Sequence, residues 1–168
     1  MPQSIKLLVR YIDAFNYRIG RFAMYLLFVM MGILLWSSFS KTFLLPSLWT
    51  LEMAQFTLTA YYILGGAYSM QMGEHVRMDL FYGSWSERTK AWVDAFTICF
   101  LIFYLGILLY GGVESTSYAL QYGERSPTAW RPYMSPIKII MCFGILLMLL
   151  QAISSFFKDV AKLRGEEI

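Results

Sequence analysis

Four stretches of the chain carry no charged residue over a length that crosses a bilayer: Phe22 to Ser40, Met53 to Gly73, Ala95 to Val113 and Ile139 to Phe157. At 1.5 Å of rise per residue each spans roughly 28 to 32 Å, the hydrocarbon thickness of a membrane. A backbone in lipid must satisfy its own hydrogen bonds, so uninterrupted apolar runs predict helices, whereas a barrel needs short alternating segments. The pattern predicts an all-α integral membrane protein with four transmembrane helices, at about 22–40, 53–73, 95–113 and 136–157.

The segments between the spans add detail. Before the first span, Ile5, Leu8, Val9, Ile12, Phe15 and Ile19 recur at helical spacing, with Lys6, Arg10, Asp13 and Arg18 at other positions. This predicts an amphipathic N-terminal surface helix at about 4–21; the alternative is a charged extension of the first span into water. In the second loop, Phe81, Trp85, Trp92 and Phe96 are interleaved with Glu87, Arg88 and Lys90, which predicts an interfacial helix running from about Ser84 into the third span. Trp85 and Trp92 are its expected headgroup anchors. The third loop, Glu114 to Pro136, is rich in tyrosine and proline. There Ser135 before Pro136 reads as a helix start, with Lys138 in the first turn as a further anchor.

Composition agrees with this picture. Hydrophobic residues make up 58% of the 168 residues and charged ones 15%, which leaves connecting segments too short for a soluble domain, so residues 1–168 read as a single membrane domain. Cys99 and Cys142 both fall inside spans, as packing residues. The first apolar run is longer than that of a cleaved signal peptide and is expected to stay. Ten cations (Lys6, Arg10, Arg18, Arg21, Arg77, Arg88, Lys90, Lys158, Lys162, Arg164) fall on the side of the termini, against four (Lys41, Arg125, Arg131, Lys138) on the other. The positive-inside rule then makes both termini cytoplasmic. A net charge of +3 suits anionic membrane lipids as partners and is too dispersed for a nucleic-acid surface.

The inventory of reactive groups narrows the function. One histidine, His75, cannot supply two facing haem ligands, and the four spans contain no acidic residue of the kind that couples ions in small exporters. There is no phosphate loop, no cluster with metal-ligand spacing and no nucleophile with a partner base. The expectation is no enzyme and no cofactor. In the second span Thr57, Gly65, Ser69 and Gly73 share a four-residue spacing that also includes Tyr61, a partly small-sided face of the kind that lets helices approach in lipid. On this reading Gly65→Leu should disrupt assembly more than Gly20→Leu in the surface segment.

Polar signatures flank the second span: Trp49 and Glu52 before it, and Gly73, Glu74, His75, Val76, Arg77, Met78, Asp79 after it. With the stretch Ser126 to Trp130, then Arg131, Pro132 and Pro136, this pattern resembles the small membrane subunit, or small permease, of tripartite ATP-independent periplasmic (TRAP) transporters. The resemblance covers essentially the whole chain. It implies sodium-coupled uptake of organic acids across a bacterial inner membrane by three parts: a periplasmic substrate-binding protein, a large elevator-type membrane subunit and this small one. The small subunit would be a non-catalytic scaffold beside the large one. Carried over by position, Trp49, Glu52, His75, Arg77 and Asp79 match the family pattern as structural or large-subunit contacts, joined by Gly65, Ser69 and Gly73.

On the external face, Tyr122, Arg125, Trp130 and Arg131 are of the residue types enriched at binding hot spots and are candidates for docking the binding protein; the alternative is anchoring to headgroups. Two other classes of function compete with the scaffold: a self-contained oligomeric channel or exporter, and a membrane anchor for a redox or signalling enzyme.

Overall fold

The computed structural model describes residues 3–73 and 86–163. Four helices follow in order: α1 (Gln3–Phe43), α2 (Thr50–Met72), α3 (Glu87–Tyr122) and α4 (Ser135–Leu163), and among the described residues there is no strand. Three of them, over Ile5–Phe43, Trp92–Tyr122 and Ser135–Ala161, are long and apolar enough to cross a membrane. The second is less apolar, because Glu52, Gln55, Gln71 and several threonines and tyrosines are spread along it.

No break separates the segment expected at about 4–21 from the first span, since α1 is one helix of 41 residues. Its inward line coincides with the apolar stripe only in part. Val9 of the stripe is buried, together with Asn16, Gly20 and Ala23, whereas Leu8 and Phe15 are exposed. Small and polar residues face the neighbouring helices, where close approach and hydrogen bonding are possible, and large apolar ones face outward.

The interfacial segment of the second loop is likewise continuous with the third span. Ser86 caps α3, its Oγ accepting from Thr89 N at 3.3 Å, and the helix runs to Tyr122. The expected end at Val113 marked only where apolarity stops. Helical hydrogen bonding continues: Thr116 Oγ1 bonds back to Gly112 O at 2.7 Å and Tyr110 OH donates to Glu114 Oε1 at 3.0 Å. Gly123, at φ 60° and ψ 41°, then stops it in the left-handed region that suits glycine.

The start of α4 lies one residue earlier than Ser135–Pro136 implied. Lys138 N donates to Met134 O at 3.2 Å, which puts Met134 at the cap, and Ser135 Oγ instead donates across to Ala119 O of α3 at 3.2 Å.

Packing centres on α4, which touches all three other helices, while α1 and α2 also pack on each other. One third of the apolar window of α4 is buried (33%), against 6% for α3, so α3 leans on α4 with most of its surface open. One core cluster joins Ala23, Leu64, Ala67 and Leu147 from α1, α2 and α4; a second joins Leu105, Ile145 and Ala152 from α3 and α4. Two glycines set the closest crossings. A Cβ on Gly20 would lie 2.4 Å from Tyr68 Cβ, and one on Gly144 would lie 1.9 Å from Ile63 Cγ2. Gly20 is therefore an α1–α2 contact, and not the neutral surface position expected of it.

Candidate functional site

The densest polar assembly joins α1, α2 and α4. Asp13 Oδ1 accepts from Gln151 Nε2 at 3.1 Å and Ser154 Oγ at 2.9 Å, and Oδ2 pairs with Lys158 Nζ at 2.5 Å. One turn along α1, Asn16 Nδ2 donates to Gln151 Oε1 at 2.7 Å, and from α2 Gln71 Nε2 reaches Asp13 O at 3.2 Å. Asn16, Gln151 and Ser154 are almost completely buried. Asp13 and Asn16 are three residues apart on α1, while Gln151, Ser154 and Lys158 follow at three- and four-residue spacing on α4, so each helix presents one polar face. In low dielectric such a network ties the register of three helices, although Asn16 Oδ1 and Gln71 Oε1 are buried without a partner among the described residues. Sequence reading took Asp13 and Lys158 only as charges and passed over Asn16, Gln71, Gln151 and Ser154. The signal that identifies them is a polar residue at helical phase with glycine: Asn16 with Gly20, and Gln151 with Gly144.

At the opposite end, the turn between α1 and α2 holds a second polar cluster. Thr50 Oγ1, buried, donates to Ser37 Oγ at 3.1 Å, and Ser40 Oγ donates to Leu45 O at 2.7 Å. Glu52 is here, 5% exposed, with its Oε2 buried and without a hydrogen-bond partner. It sits in the first turn of α2, where the helix dipole favours a carboxylate. Trp49 occupies the cap position through its backbone and is partly exposed.

The small face of α2 divides into unlike parts. Gly73 is the helix stop, at φ 73° with its N–H on Met70 O and Ser69 O. Beside Gly65 nothing approaches within 4 Å of an added Cβ, and a crevice of about 490 Å³ opens there, lined by Gly20, Ala23, Tyr61, Gly65, Tyr68 and Ser69 among others. The helices of this chain leave that face unfilled. His75, Arg77, Asp79 and Trp85 lie outside the described residues.

The loop between α3 and α4 is a compact hairpin-like turn. Met134 N donates to Glu124 O at 3.0 Å and Ser126 N to Pro132 O at 2.9 Å, with Arg125 opposite Tyr133. The Arg125 guanidinium lies over the Tyr133 ring, 4.2 Å from its centroid, and hydrogen-bonds its hydroxyl. Lys138 Nζ pairs with Glu124 and reaches Ser115 O at 3.5 Å, so its charge is bound inside the loop. Trp130 is exposed near the tip, and Arg131 beside it holds a φ of 50°. Tyr122 stacks on Tyr118 with ring centroids 4.5 Å apart at the end of α3. Trp92, 63% exposed, stands near the start of the same helix.

No group of three or more histidine, cysteine or acidic residues is placed to hold a metal among the described residues. Comparison with curated proteins and with solved structures returned no match. A family model does match, over residues 18–162, which takes in Gly20, all of α2, the α4 side of the hub and the whole loop between α3 and α4, and begins just after Asp13 and Asn16. The chain belongs to the DctQ component family of the tripartite ATP-independent periplasmic transporters.

Proposed function

We propose that this chain is the non-catalytic small permease of a sodium-coupled TRAP transporter for organic acids, acting as a stationary scaffold for the large membrane subunit. The family match over 18–162 carries this reading. The geometry supports it in two ways. The inter-helix contacts rest on fixed polar hydrogen bonds and close glycine crossings, features of a rigid support, and wide apolar faces are left for a partner or lipid. In α3 alone Phe96, Phe100, Phe103, Ile107 and Tyr110 are exposed along one face.

On this reading α2 is the fourth membrane span. Lying between α1 and α4, it is shielded on two sides, which lets it carry more polar residues than a lipid-facing helix tolerates. Both termini are then cytoplasmic, and the protein is multi-pass in the bacterial inner membrane. The open side of Gly65 and Ser69 supports contact with the large subunit there, with Trp49, Glu52, His75, Arg77 and Asp79 ordering the two ends of the span. The external loop, with Tyr122, Arg125, Trp130 and Arg131, docks the periplasmic binding protein, while Trp85, Trp92 and Lys138 lie at headgroup level.

Affinity purification of the tagged chain from native membranes tests the assignment. It should bring down a much larger multi-span membrane protein in fixed stoichiometry. Recovery of this chain alone, from membranes that hold that protein, would contradict it.

A further inference from the structure

A second polar feature lies on the outer side of the α1 hub. A groove of about 890 Å³ is bounded by α1, the end of α2 and α4, and its lining includes Lys6, Arg10, Tyr17, Arg18, Gln71 and Lys158. Asp13 is the only acid among the described residues that line it, and its carboxylate is already saturated by Gln151, Ser154 and Lys158. Among the described residues that line the groove, no acid is therefore left to offset Arg10 and Arg18. Both are exposed, and they sit eight residues apart on α1, about 12 Å along the axis and about 80° around it.

The depth of the groove follows from α1 itself. From Tyr17, on the groove wall, to Ser37, bonded to Thr50 at the other end, the helix rises roughly 30 Å, one hydrocarbon thickness. The groove is thus at headgroup level. Exposed Phe22 on the adjoining side of α1, roughly 7 Å deeper than Tyr17 along the helix, offers apolar surface for acyl chains. Guanidinium forks suit a phosphate.

We propose that this groove is a binding site for an anionic phospholipid, phosphatidylglycerol in chemical class. Arg10 and Arg18 supply the guanidinium groups that draw its phosphate. The site would tie the start of α1 to the membrane surface beside the Asp13 hub, whatever larger assembly the chain joins.

Native mass spectrometry of the full-length chain, released from detergent micelles doped with phosphatidylglycerol or phosphatidylcholine, tests this. The expected result is one phosphatidylglycerol retained in preference to phosphatidylcholine, with retention reduced about tenfold by Arg10→Gln combined with Arg18→Gln. The pair Lys41→Gln and Arg131→Gln, at the other end of the bundle, should leave it unchanged. Equal retention of the two lipids, or retention indifferent to the Arg10 and Arg18 changes, would overturn the proposal. So would displacement of the lipid by millimolar inorganic phosphate, which would make the ligand a free anion. Neither readout involves uptake or the large subunit, so the scaffold reading and the lipid site can fail separately.

Discussion

Asn16 and Gln151 lie 135 positions apart in the chain, yet Asn16 Nδ2 donates to Gln151 Oε1 at 2.7 Å with both side chains almost completely buried. The same Gln151 donates onward to Asp13, so one amide links the first part of α1 to the middle of α4 in two places. Replacing Gln151 with leucine leaves Asn16 Nδ2 with only its long contact to Leu147 O at 3.5 Å and Asp13 Oδ1 with Ser154 alone. The expected cost is about 1–3 kcal/mol, two lost hydrogen bonds at about 0.5–1.5 kcal/mol each. Unfolding of the purified protein by SDS titration in mixed micelles measures it. An unchanged midpoint would mean that the hub does not hold the helices in register.

The two glycine environments on α1 and α2 predict opposite behaviour. Gly20→Ala pushes a methyl group into Tyr68 and should destabilise the chain by about 1–3 kcal/mol, the usual range for overpacking. Gly65→Ala meets open space and should leave the isolated chain as stable as before. Bulk at Gly65 should instead lower the yield of any complex that fills the crevice. Thermal unfolding of both variants, alongside recovery of the complex, separates packing within the chain from packing against a partner.

Whether α2 crosses the membrane is decided by parity. Four spans put both termini on the cytoplasmic side, whereas three put them on opposite sides. A fluorescent reporter fused to either end should therefore glow, and an alkaline phosphatase fused to either end should be inactive. Opposite results at the two ends would remove α2 from the spans.

For the loop between α3 and α4, Trp130 and Arg131 are the informative positions. Arg125 is engaged with Tyr133, so reversing its charge reshapes the loop as well as its surface. Trp130→Ala with Arg131→Glu changes the tip and leaves the Glu124–Lys138 pair in place. We expect the binding-protein concentration for half-maximal uptake to rise about tenfold, the loss of about 1.4 kcal/mol of docking energy. An unchanged concentration dependence would assign the tip to headgroup contact.

Much of the fold was legible in the sequence because uncharged length is a direct signal of a helix in lipid. Boundaries were less so. Polarity ends at a different residue from the backbone helix, which is why α3 continues through Glu114 to Tyr122 and why α1 absorbs the segment at 4–21. The hub was illegible for a related reason. An apolar stripe points to the core, and Val9 does pack there, but Leu8 and Phe15 of the same stripe are exposed, while Asn16 and Gly20, which no apolar pattern marks, are buried. Reading Lys138 by its long stem suggested the headgroups; its partner, Glu124, lies across a loop whose folding no local spacing reveals. The family pattern gave Trp49 and Glu52 their place, though not the neighbours that bury Glu52.

The scaffold claim is tested most directly by substrate uptake into proteoliposomes. The large membrane subunit, this chain and the binding protein are reconstituted together, and each is then left out in turn. The account predicts sodium-dependent uptake only with all three present, and no transport by this chain alone. Uptake undiminished when this chain is omitted, or transport by the chain on its own, would contradict it.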